Sequence, residues 1–143
     1  MTKDFLLRLT EEHYGAGAFP VYGRLLEEQR LARGGPLLPM WYCTAALRRA
    51  FGGENVLVLG GTNDSLLAHL LGATPVNPLP PHYHCPNCHR LIFDAHADDG
   101  WDLPNLACPE CGAPMAADGH NLRSRSLIGE SVVSLQVPQE RLA

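Results

Sequence analysis

An α+β fold is expected, from three observations. Apolar residues recur at helical spacing between residues 3 and 52, one short run at 56–59 is wholly apolar, and two Cys-x-x-Cys units lie at 85–88 and 108–111. The expected architecture is a small helical N-terminal part with a short strand-turn-helix unit, then a zinc-ribbon-like four-cysteine module, then a C-terminal strand. The corresponding boundaries are 1–75, 76–122 and 123–143.

The elements follow in order. Leu6, Leu9 and His13 mark a first helix over 3–14, closed by Tyr14-Gly15. Pro20 suits a first-turn position, Val21, Tyr22, Leu25 and Leu26 form an apolar stripe, and Gly34-Gly35 stops a second helix near Arg33. A third helix lies between Pro39 and Gly52, with Trp41, Ala45 and Leu47 inward and Arg48 and Arg49 outward. Val56-Leu57-Val58-Leu59 reads as a buried strand. Asn63-Asp64-Ser65 supplies N-cap chemistry for a helix through Leu66, Leu67, Leu70 and Leu71, with Gly72 as its stop. Four prolines between 75 and 81 make a stiff connector, and the cysteine-bearing stretch 82–120 ends on the Asp118-Gly119 turn. Val133, Leu135 and Val137 alternate with Ser134 and Gln136, as in a half-buried strand.

Composition excludes several classes. The chain has 143 residues, 45% hydrophobic and 18% charged, which suits about one domain and not a disordered tail. It has no long charge-free apolar run for a membrane span, and Thr2-Lys3-Asp4 begins no secretory signal, so a cytoplasmic protein is expected. A net charge of −4 excludes a strongly cationic nucleic-acid binder, so any phosphate contact must come from a local patch.

Cys85-Pro86-Asn87-Cys88 and Cys108-Pro109-Glu110-Cys111-Gly112 carry the strongest chemistry. Nineteen residues separate the pairs, the spacing of a four-thiolate zinc site. Each knuckle turns two sulfurs toward one cation, and Gly112 lets the chain after the second pair take conformations closed to other residues. Four thiolates leave no open position, so a structural Zn2+ is expected, with iron in a rubredoxin-like site as the alternative. His82, His84 and His89 flank the first knuckle as exposed or supporting histidines, and Cys43 stands alone as a buried small apolar residue.

Weaker signals remain. Gly60, Gly61 and Thr62 lie between strand and helix, where a phosphate could sit, or they form a plain turn. Asp94, His96, Asp98 and Asp99 could hold a second cation or form a solvated hairpin tip. Arg48, Arg49, Arg123 and Arg125 are the candidates for nucleic-acid contact, and the Trp41-Tyr42 pair is read as core. No catalytic residues are assigned from chemistry alone.

A family resemblance adds to this reading. Val76-Asn77-Pro78-Leu79-Pro80-Pro81-His82-Tyr83, both knuckles, Asp102-Leu103-Pro104 and Asp118-Gly119-His120, in that order, resemble the zinc-binding segment of the PolC-type DNA polymerase III alpha subunit. The resemblance extends through Ser65-Leu66-Leu67-Ala68 and, more weakly, Gly17-Ala18-Phe19 and the helix at 21–33. It implies a piece of a polymerase palm, which transfers nucleotides with two metal ions held by aspartates. In that family a Gly-Ser-rich loop with an arginine binds the triphosphate; the corresponding positions here, Val58 to Asp64, hold glycines and no arginine. The family's Asp-x-Asp strand should follow the zinc segment, yet 132–137 contains no aspartate, so polymerase catalysis is not expected. The segment 36–55 has no counterpart in the resemblance.

The expected function is therefore a non-catalytic zinc-binding protein of palm descent that engages nucleic acid or a replication-related protein partner. The alternatives are a nucleotide sensor or residual nucleotidyl-transfer enzyme on the Gly60-Gly61 loop, and a structural protein that forms a homo-oligomer through 36–55. No membrane partner is expected.

Overall fold

The computed structural model describes residues 2–32, 37–94, 97–122 and 131–135. Four helices and two small antiparallel sheets are built from them: α1 Lys3–Tyr14, α2 Phe19–Ala32, α3 Leu37–Phe51, β1 Val56–Gly60, α4 Leu66–Leu70, β2 His82–His84, β3 Leu91–Phe93, β4 Ala116–Asp118 and β5 Ser131–Leu135. The α+β class and the order of elements are those expected.

Local chemistry explains the helix ends. Thr2 caps α1 by accepting the Phe5 N–H at 3.2 Å, and Gly15 ends the helix at φ 82°. Leu6 and Leu9 point inward, one helical turn apart, with Tyr14 at the end of the same face. His13 is exposed. In α2 the stripe is as expected, with Val21 and Leu25 buried and Tyr22 and Leu26 partly so. Gly34 and Gly35 lie outside the described residues. Ser65 caps α4 by accepting the Ala68 N–H at 3.0 Å. These helices close over a core that includes Leu6, Leu25, Trp41, Leu66, Leu67 and Leu79.

Helix α3 departs from expectation on one face. Trp41 and Ala45 are buried, but Leu47 is only partly covered and Arg48 turns inward. Arg48 lies three residues from Ala45 and seven from Trp41, so it shares their face. Its guanidinium donates to the Gly72 carbonyl at 2.8 Å. Arg49 is exposed. Tyr42 and Cys43, expected inside, are exposed because Trp41 takes the buried position and the next two residues rotate away.

Strand β1 pairs with β5 alone among the described residues, antiparallel, with Val56 opposite Leu135 and Gly60 opposite Ser131. Val56 and Val58 are buried, whereas Leu57 remains 45% exposed, so the run is not the wholly buried strand its composition suggests. Successive residues face opposite sides, and β1 lies against α3 and the turn at 61–64. Residues 136 and 137 of the expected strand lie outside the described residues.

The second sheet has the order β3-β2-β4, both pairs antiparallel, with Tyr83 opposite Ile92 on one side and Ala117 on the other. The proline-rich run leading into it packs inward: Asn77, Pro78 and Leu79 are buried. Their carbonyls accept backbone N–H groups from 120–122 at 2.8–2.9 Å. Gly100 packs closely here. Its N–H donates to the Gly119 carbonyl at 2.6 Å, and a Cβ added to it would lie 1.9 Å from the Asp118 carbonyl oxygen. Gly100→Ala is therefore expected to destabilise the chain by at least ~1–3 kcal/mol, the range for overpacking, as a lower urea midpoint. An unchanged midpoint would show that this junction relaxes freely.

Candidate metal centre

The first knuckle follows β2 and the second precedes β4, so the central β2 strand sets their separation. Within each knuckle the backbone folds the same way. The His89 N–H donates to the Cys85 carbonyl at 2.9 Å, and the Gly112 N–H to the Cys108 carbonyl at 2.8 Å. These two residues occupy equivalent positions, four after the leading cysteine, and both have left-handed backbone, φ 66° for His89 and 75° for Gly112. Glycine adopts this conformation without strain, and the sequence marks it in the second knuckle only. The first knuckle places a histidine there, which glycine-based reading misses.

The four sulfurs converge. Cys85 Sγ lies 3.4 Å from Cys111 Sγ, Cys88 Sγ lies 3.4 Å from Cys108 Sγ, and all four lie within 4.8 Å of one another. A tetrahedron with Zn–S bonds of ~2.3 Å has sulfur–sulfur edges of ~3.8 Å, inside this range. Cys85 and Cys108 are buried, and Cys88 and Cys111 face solvent. Among the described residues this is the one cluster of metal-ligating groups, and its donor set suits a thiophilic cation. The four cysteines would hold the ion, and with no open position its contribution would be structural cross-linking.

Electrostatics favour a cation. The Asn87 side chain, the Ala113 amide and the neighbouring cysteines pull the Cys111 thiol down to about 6. The Cys111 and Glu110 amides likewise lower Cys108. At Cys88 the Arg90 amide also favours the thiolate, but hydrogen bonding with Cys108, burial and the other two cysteines outweigh it and push that thiol up to about 12. Thiolates packed this closely do not all ionise without a positive charge between them. Arg90 also bridges to Glu110 of the other knuckle at 2.7 Å, an exposed pair that adds at most ~1 kcal/mol.

The flanking histidines diverge in role. His89 is exposed and His84 partly covered, but His82 is only 2% exposed, so of the two places expected for it the surface one does not hold. Asn77 Nδ2 donates to the Tyr14 hydroxyl at 2.8 Å, Tyr14 donates to His82 Nε2 at 3.1 Å, and His82 Nδ1 donates to the Pro80 carbonyl at 2.8 Å. That chain ties the end of α1 to the ribbon, and it requires a neutral imidazole. Burial lowers the His82 pKa from 6.5, against smaller opposing effects of the Pro80 carbonyl and Asp118. Its contribution is thus fully present above pH 6.5 and is lost as pH falls through the lowered folded value. With metal saturating, the urea midpoint is expected to fall between pH 7.5 and 5.5. His82→Gln should lower the midpoint at pH 7.5 and flatten this fall; an equally steep fall in the variant would remove His82 as a contributor.

The other candidate residues scatter. Gly61 and Thr62 are buried, and Thr62 Oγ1 accepts from Trp41 Nε1 at 3.2 Å. Gly60 ends β1, opposite Ser131. The helix start beyond this loop already holds an anion, the Glu28 carboxylate, which accepts Leu66 N–H at 2.7 Å, Leu67 N–H at 3.1 Å and Ser65 Oγ–H at 2.8 Å. A phosphate there would have to displace Glu28. Asp99 accepts from the Trp101 N–H at 2.8 Å and from His120 at 2.7 Å, so it caps the turn at Gly100–Asp102. Asp94 and Asp98 form no metal cluster with it, and His96, Arg123 and Arg125 lie outside the described residues. None of the described helices is long and apolar enough to cross a membrane.

No protein-family profile matches the chain. Among curated proteins, 72 residues are 50% identical to the DNA polymerase III PolC-type of Thermotoga maritima, covering 49% of this chain and 5% of that protein. The corresponding match to the PolC-type enzyme of Bacillus subtilis is 44% over 72 residues, and to that of Ureaplasma parvum 47% over 70 residues. About half the chain is thus a PolC-like segment, and the chain spans about 5% of the length of the curated relatives it matches.

Proposed function

We propose that the chain is a non-catalytic, zinc-stapled protein of polymerase descent that docks on a protein of the replication apparatus in the bacterial cytoplasm. The observation that carries this reading is the pairing of PolC likeness at 43–50% identity with a convergent four-cysteine centre. Zinc fits four thiolates at these separations, and its role is to hold the ribbon. Two-metal nucleotidyl transfer needs carboxylates to clamp the ions, and β5, Ser131–Leu135, carries none.

A protein partner is favoured over nucleic acid by charge. The chain carries −4 overall, Arg48 is spent on the Gly72 carbonyl, Arg24 pairs with Glu28 and Arg90 with Glu110. Meanwhile Phe19 and Trp101 are 74% and 72% exposed, large apolar side chains of the kind that anchor protein interfaces.

The tagged chain, used as bait in a bacterial lysate with and without nuclease, tests this. A replication protein retained after nuclease treatment, and lost on Trp101→Ala or Phe19→Ala, is the expected result. Partners that vanish with nuclease, with binding that weakens steeply as salt rises, would transfer the function to nucleic acid and to Arg49, Arg123 and Arg125. Primer extension with magnesium and nucleotides should give no product; templated incorporation would overturn the non-catalytic assignment.

A further inference from the structure

One cysteine of each knuckle, Cys88 and Cys111, is exposed, and its sulfur lies beside that of a buried cysteine of the opposite knuckle. Cys111 Sγ stands 3.4 Å from Cys85 Sγ, and Cys88 Sγ 3.4 Å from Cys108 Sγ. A disulfide requires ~2.05 Å, so each crossed pair needs a closing movement of ~1.4 Å. Cys85 and Cys108 are 0% and 3% exposed, out of direct reach of an oxidant in solution. The centre therefore has the layout of two attackable thiolates, each with a resolving thiolate beside it.

We infer that this centre is a site of reversible oxidative modification, in which a hydroperoxide converts the four thiolates into two crossed disulfides, Cys85–Cys111 and Cys88–Cys108, with release of the metal ion. The Cys111 thiolate attacks one peroxide oxygen, the O–O bond breaks, and sulfur keeps a hydroxyl as the sulfenic acid while hydroxide leaves. The Cys85 thiolate then attacks that sulfur, forming the S–S bond and expelling a second hydroxide. The two sulfurs give two electrons to the peroxide, and two protons from the buffer acid turn the two hydroxides into water. A second peroxide takes Cys88 and Cys108 through the same steps, and the cation leaves as its ligands are lost. Because both bonds cross between knuckles, the oxidised ribbon remains stapled after the metal has gone.

Cys43 provides an internal reference, since it is exposed and stands outside the centre. The full chain, loaded with zinc, is treated with hydrogen peroxide beside a chromogenic zinc chelator, then digested without reduction. Zinc release in step with loss of the four thiols, peptides joined 85–111 and 88–108, and recovery of zinc binding on adding dithiothreitol are expected. Cys43→Ser should leave all of this unchanged. Bonds within the knuckles, irreversible sulfinates at Cys88 and Cys111, or oxidation of Cys43 while zinc stays bound would each overturn the proposal. Metal content read before peroxide is added tests the zinc assignment, and the disulfide map of the loaded chain tests this inference, so the two failures are distinguishable.

Discussion

Chelating the metal, or replacing Cys108 by serine, is expected to unfold at least residues 82–120. The ribbon has little else to hold it. Its three strands have three residues each, and β3 has no buried position. Against this, structural zinc contributes ~10–16 kcal/mol of apparent binding energy in small modules, comparable to the whole stability of an ordinary domain. Amide exchange should separate the regions: protection lost across 82–120, including the Cys85 and Cys108 amides, and retained in part in α1, α2 and α4. The loss should also reach the end of α1, because Tyr14 donates to His82 of β2. Unchanged protection in the metal-free chain would mean that side-chain packing alone holds the ribbon.

The second large effect is expected at Glu28, outside the four-cysteine centre. This carboxylate, 2% exposed, gathers Ser65 Oγ–H, two backbone amides at the start of α4 and, at 2.8 Å, the Arg24 guanidinium. Burial raises its pKa, and the Leu66 amide, Ser65, the Leu67 amide and Arg24 pull in the opposite sense. Arg24 also donates to the Asp64 carbonyl at 2.7 Å, so the pair locks α2 to the turn before α4. Glu28→Ala leaves these donors buried without their acceptor and should cost ~3–5 kcal/mol, the range for breaking a buried ion pair. Glu28→Gln keeps one acceptor oxygen and should cost less. Equal urea midpoints for wild type and Glu28→Ala would show that water replaces the carboxylate there.

These two sites differ sharply in how they can be read from sequence. The four cysteines announce themselves because local spacing fixes each knuckle, and the Ser65 cap because its donor is three residues away. Glu28 gives only the local Arg24 pairing as a signal: its other partners lie 37–39 residues further on, and a glutamate paired one turn away on a helix looks solvated. Arg48 is as partly covered as Leu47 for a related reason, since apolarity suggests only the leucine while helix geometry puts the arginine on the Trp41–Ala45 face. Leu57 is exposed because sheet partnership, which the run at 56–59 does not encode, leaves one face of β1 uncovered. His82 is buried because its two ring nitrogens find Tyr14 and Pro80, a match visible only once α1 and β2 are packed together.

That the metal staples the ribbon is tested by native mass spectrometry of the freshly purified chain. One zinc ion per chain is expected, lost in Cys108→Ser, with Cys85 and Cys108 closed to alkylation while the metal is bound. A chain that carries no metal, with all five cysteines alkylated at one rate and thermal unfolding unchanged by chelator, would contradict it.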